Sequence, residues 1–114
     1  MLKLTNIDYQ LVVEMAEGDK EFEAELLEAI INSVKDLRKK YLDGVLSQNE
    51  EMIIQARHKI KPTLTLFGLE RLSLIIENGK ETLDIEGMKS SLVDKHQEEF
   101  TEAVDDLLEE LSSF

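Results

Sequence analysis

A chain of 114 residues carries 25 Asp and Glu against 13 Lys and Arg, giving a formal net charge of −12, with no cysteine and two histidines. This length predicts one domain over residues 1–114 whose core needs no metal or disulfide support. The missing cysteine excludes disulfides, thiol catalysis and zinc–thiolate sites, the acidity argues against nucleic acid as a partner, and no apolar run is long enough to cross a bilayer.

The leading stretch MLKLTNIDYQ lacks the basic-then-apolar pattern of a signal peptide. A soluble, cytoplasmic protein is therefore expected, monomeric because a small acidic surface repels its own copies. One proline and five glycines among many Leu, Ile, Glu and Lys predict helix nearly throughout.

The first predicted helix is short, about Ile7 to Glu17, with Asn6 or Thr5 as its cap and Leu11, Val12 and Met15 as an apolar face. Gly18-Asp19 ends it, and Asp19 can cap the second. In the second, Phe22, Leu26, Ala29, Ile30, Val34, Leu37 and Tyr41 recur at three- and four-residue intervals, a buried stripe that Gly44 closes. Arg38, Lys39 and Lys40 near its end complement the helix dipole and read as structural. Ser47-Gln48-Asn49-Glu50 reads as a capping box that opens the third helix, which Gly68 ends or bends. A fourth runs from Leu69 to about Leu83 with Leu72, Ile75 and Ile76 inward, and Asn78-Gly79 offers it an early stop. The last spans roughly Met88 to Leu111 with Val93, Phe100, Val104, Leu107 and Leu111 on its core face; His96 falls on that stripe as a half-buried structural histidine. Short connections between such helices predict an all-α fold, an up-and-down antiparallel four-helix bundle with a short N-terminal helix.

His58 is different. At about 100° per residue, Met52, Ile53, Ala56, Ile60, Thr63, Leu64 and Phe67 cluster opposite it, so the imidazole is expected at the centre of the solvent face. Arg57, Lys59 and Lys61 surround it, with Lys61 at i+3 where its ammonium can meet an anion on the ring. Ile54 at i−4 and Pro62 at i+4 form an apolar collar suited to docking. A mid-helix proline costs about 3 kcal/mol and clashes with the carbonyl four residues back, which belongs to His58. Such a residue either keeps the space beside the imidazole clear or simply tolerates a curved helix.

The stretch HKIKPTLTLFG resembles the signature of histidine-containing phosphotransfer (HPt) domains, H-x-[LI]-K-G with a further glycine ten residues after the histidine. His58, Ile60, Lys61 and Gly68 match at that spacing, and EMAEGDKEFEAELLEAI resembles the short helix and Gly-Asp turn that lead into the family's long second helix. Pro62 replaces the usual glycine, and Arg57 the usual small residue before the histidine.

The resemblance implies a phosphorelay carrier. His58 would take a phosphoryl group from the aspartyl phosphate of one receiver domain, in a hybrid sensor kinase or response regulator, and pass it to another. Lys61 would stabilise the phosphoryl oxygens, and Lys59 would add a secondary charge. Ile54, Gln55, Arg57, Pro62 and Thr65 would form the docking surface. Glu77 and Lys80 are further candidates from the following helix, Lys80 at the position where the family often has glutamine. No cofactor of its own is implied; Mg²⁺ would come from the receiver. Nothing in the chain resembles an ATP-binding or autokinase motif. The rival reading is a helical module that docks a receiver or kinase without being phosphorylated.

Overall fold

The computed structural model describes residues 5–114, and among these the chain forms five α-helices and no strand. The first four residues, part of the stretch read above as no signal peptide, lie outside the described residues. The helices are α1 Tyr9–Ala16, α2 Lys20–Leu46, α3 Glu50–Leu66, α4 Glu70–Glu86 and α5 Ser91–Leu111. Helix α2 packs against α1, α3 and α5, while α4 packs against α5 and α3. The four longer helices thus enclose a single apolar cluster.

Local chemistry sets the helix ends, in several places differently from the expectation. Asp8, not Asn6 or Thr5, caps α1 by accepting from the Gln10 N–H at 3.2 Å. Thr5 and Asn6 are drawn into tertiary contacts instead. The Arg71 N–H donates to the Thr5 carbonyl at 3.0 Å, and Asn6 Nδ2 donates to Glu110 at 2.9 Å. Asp19 caps α2 as expected, accepting from the N–H groups of Glu21 and Phe22.

Gly44 does not stop α2, which continues to Leu46. A Cβ at Gly44 would lie 2.8 Å from Ile53 Cγ1, so this glycine serves the close approach of α2 to α3. Nor does Ser47 open α3: it sits at the C-terminal end of α2, where its hydroxyl donates to the Asp43 carbonyl at 2.7 Å. Gln48 turns the chain with φ +55°, and Asn49 then caps α3 by accepting from the Met52 N–H at 3.1 Å. Gly68, at φ +65°, lies just past the Phe67 C-cap of α3. Helix α4 passes through Asn78-Gly79 and reaches Glu86, and α5 begins at Ser91 under a Ser90 cap, later than Met88.

The core is formed by Ile30, Val34, Leu37 and Tyr41 of α2 with Ile53 and Ile60 of α3. From the far side come Leu72 and Ile76 of α4 and Val93, Phe100, Val104, Leu107 and Leu111 of α5. Each large side chain so buried contributes roughly 1.5–3 kcal/mol. Phe22 and Ala29, assigned to the α2 stripe, are exposed, as is Met15 of α1. For Phe22 the cause is length: α2 has 27 residues and α3 has 17, so about 40 Å of helix packs on about 25 Å and the first turns of α2 overhang. Ala29, next to the buried Ile30, is on the outward side of the helix.

His96 is more deeply buried than the half-buried expectation, at 6 % exposure, and its Nε2 lies 2.7 Å from the Tyr41 hydroxyl. Tyr41 also stacks on Phe100 with ring centroids 4.5 Å apart. The edge of the imidazole occupies the space where a side chain at Gly79 would begin, which explains why α4 carries a glycine mid-helix. Gly79→Ala should therefore destabilise the fold by about 1–3 kcal/mol, overpacking outweighing the better helix propensity of alanine. Denaturant unfolding measures this directly.

Burial holds the His96 pKa below its ordinary 6.5, with Glu99 pulling the other way. The unfolded chain then binds more protons than the native one as the imidazole titrates. The stability contributed by neutral His96 is complete above about pH 6.5 and is lost as pH falls through the lower folded value. Unfolding free energy should drop on acidification from pH 7.5 more steeply in the wild type than in His96→Gln, which retains an acceptor for Tyr41 but no titrating ring.

Candidate functional site

Three buried residues fix the orientation of α3. Ile53, Ala56 and Ile60 enter the core, and Met52, Thr63 and Leu64 are half-buried beside them. That registration turns His58 outward, and it is exposed near the middle of the helix. Stepping about 100° per residue from His58 puts Arg57 and Lys59 on opposite flanks of α3. The structure gives those flanks different fates.

On one flank a groove of about 280 Å³ separates α3 from α4. Arg57, His58 and Lys61 line it from α3, and Glu77 and Lys80 from α4. Leu64 and Ile76 supply apolar wall, and Thr65 and Ser73 complete the lining. The two candidates assigned from the helix after Gly68 thus share one groove with the histidine. Ser73 and Ile76 were not anticipated. Their spacing with Glu77 and Lys80, at i, i+3, i+4 and i+7, marks one face of α4 and was the available signal.

On the other flank Lys59 is engaged elsewhere. Its ammonium lies 3.1 Å from Asp36 of α2, which also pairs with Lys40 at 3.3 Å. The Lys59 hydrogen bond, ahead of the Lys40 contacts, holds the Asp36 carboxyl below its ordinary range. Lys59, expected as a secondary charge for the histidine, lines the furrow between α2 and α3 and shares Asp36 with Lys40.

The remaining cations sharpen the contrast. Among the described residues, Lys20, Arg38, Lys39, Lys40, Lys59 and Arg71 each pair with a carboxylate. Arg57, Lys61 and Lys80 take part in none of these pairs, nor do Lys35, Lys89 and Lys95, but only the first three line the groove beside His58. Arg57 also acts on Tyr41: burial pushes the phenol up to about 12, and the guanidinium opposes that rise.

Of the expected docking positions, Gln55, Pro62 and Thr65 are exposed and Ile54 and Arg57 are half-buried. Gln55 donates to Glu51 at 3.1 Å, and the Thr65 hydroxyl donates to the Lys61 carbonyl at 3.2 Å. Pro62 lies inside α3, and since proline has no N–H the His58 carbonyl lacks its usual donor. Among the described residues, no group of three or more His, Asp or Glu is placed to hold a metal ion, and no helix is long and apolar enough to cross a membrane.

The chain matches no family model, no curated protein and no solved structure in comparisons with each. The function must be argued from the groove itself.

Pro62→Ala restores a donor to the His58 carbonyl and removes the ring from the helix interior. The substitution should raise the unfolding free energy by about 1–3 kcal/mol. A thermal or denaturant melt checks it, and an unchanged or lowered stability would mean that α3 is already adapted to the proline.

Proposed function

We propose that this chain is a histidine phosphotransfer protein, an up-and-down four-helix bundle that carries a phosphoryl group on His58 between receiver domains. One observation carries the reading: an exposed imidazole shares its groove with three cations that form no ion pair, in a protein of net charge −12. The HPt-like spacing of His58, Ile60, Lys61 and Gly68 supports it from the sequence side.

In the proposed step the neutral ring attacks through Nε2, the other nitrogen keeping its proton. A bond forms from Nε2 to the phosphorus of a receiver's aspartyl phosphate. The bond from phosphorus to the aspartyl oxygen breaks, and the electron pair leaves with the receiver's carboxylate. Lys61, one helical turn from His58, meets the negative charge of the transferring oxygens, and Lys80 reaches the same groove from α4. Mg²⁺ belongs to the acidic pocket of the receiver. Chemistry of this kind rests on positioning and charge neutralisation. The basic groove also favours encounter with an acidic receiver pocket. Ile54, Gln55, Pro62 and Thr65 form the surrounding docking ring. Cytoplasmic location and a monomeric state belong to the same reading.

The test is phosphoryl transfer from a panel of labelled, phosphorylated receiver domains. At least one should place acid-labile, alkali-stable label on the protein, and His58→Gln should abolish it. Lys61→Gln should slow transfer on the order of tenfold to a hundredfold, while Lys59→Gln changes it little because Asp36 already holds that ammonium. Binding of a receiver without any transfer would favour a docking module, and the absence of both would contradict the proposal.

A further inference from the structure

The groove gathers cationic side chains of the kind that hold an oxyanion, without a partner protein. Its cations come from two helices of this chain, Arg57 and Lys61 from α3 and Lys80 from α4, and the imidazole of His58 adds a further polar edge. None of the three cations is held by a carboxylate. Glu77 is the one carboxylate in the lining, so the groove keeps a net positive charge within a strongly negative molecule. A volume of about 280 Å³ admits a small tetrahedral anion with some of its water, since a single water takes about 30 Å³ of liquid.

We propose that this groove binds free inorganic phosphate beside His58 when no partner is docked, and that the bound phosphate competes with the incoming phosphoryl group. Phosphotransfer is then slowed by the phosphate concentration of its surroundings. The competition rests on the phosphotransfer reading; the binding stands on the three cations alone. Arg57 and Lys80 are in this account anion-binding residues, and Glu77 sets an upper limit on affinity by repelling the ligand.

The experiment follows the two histidine rings by NMR while inorganic phosphate is titrated into the full chain at fixed pH and ionic strength, with chloride as the balancing salt. The His58 resonances should shift saturably, and those of His96, enclosed with Tyr41 and Gly79, should stay fixed as an internal reference. Arg57→Gln, Lys61→Gln and Lys80→Gln should each weaken binding roughly two- to fivefold, the worth of one exposed ion pair. Glu77→Gln should strengthen it by a similar factor, a gain that misfolding would not mimic. A linear response, one that chloride reproduces, or one indifferent to both Lys80→Gln and Glu77→Gln overturns the proposal.

A parallel transfer assay separates the two claims. Saturable binding together with labelling of His58 that phosphate suppresses supports both. Saturable binding with no labelling from any receiver leaves the anion site standing and removes the phosphotransfer reading. Normal labelling that phosphate does not slow, with no shift at His58, removes the anion site and leaves the carrier intact.

Discussion

The contact between the Tyr41 hydroxyl and His96 Nε2, 2.7 Å long, is closed off by Gly79 of α4, the helix that supplies the second wall of the groove. It joins three helices at one point: α2 through the phenol, α5 through the imidazole, and α4 through a glycine that leaves room for the ring. A buried polar ring without a partner would cost about 1–3 kcal/mol, so the pairing fixes which way both side chains face. It also fixes how closely α4 approaches α5. Lys80 directly follows Gly79, and Glu77 and Ile76 precede it by less than a turn. The segment of α4 that meets His96 therefore also carries residues of the second wall of the groove beside His58.

The two histidines divide their roles by environment. His96 is surrounded by Tyr41, Phe100 and Gly79, and burial favours its neutral form. His58 stands on the opposite side of the packing logic, directed outward because Ile53, Ala56 and Ile60 claim the other face of α3. Charge is sorted in the same way. Six Lys and Arg of the described residues are held by neighbouring carboxylates at 2.7–3.7 Å. Beside His58 three cations without such partners line one groove, and an anion arriving there meets them together.

Much of this was legible in the residues, for identifiable reasons. The helices follow from apolar residues recurring at three and four positions, and the outward direction of His58 follows from the same periodicity. Glycines were harder. Gly44 and Gly79 read as stops, because a sequence does not reveal that Ile53 and His96, on other helices, occupy the space their side chains would need. Ser47 looked like a cap because the left-handed turn at Gln48, which moves that role to Asn49, leaves no signature of its own. Within the site, Lys61 is visible from i, i+3 geometry on one helix. The pairing of Lys59 with Asp36 was not legible, because the two are distant in sequence and adjacent only across the α2–α3 furrow.

On the phosphotransfer proposal, the chemistry resides on one nitrogen of one exposed ring. Phosphorus NMR of the protein after exposure to a phosphorylated receiver tests it most directly. A phosphoramidate resonance should appear that correlates with the ring protons of His58 and identifies Nε2 as the bonded atom. A signal arising from His96, from a hydroxyl or from a carboxylate, or no protein-bound phosphorus at all, would contradict it.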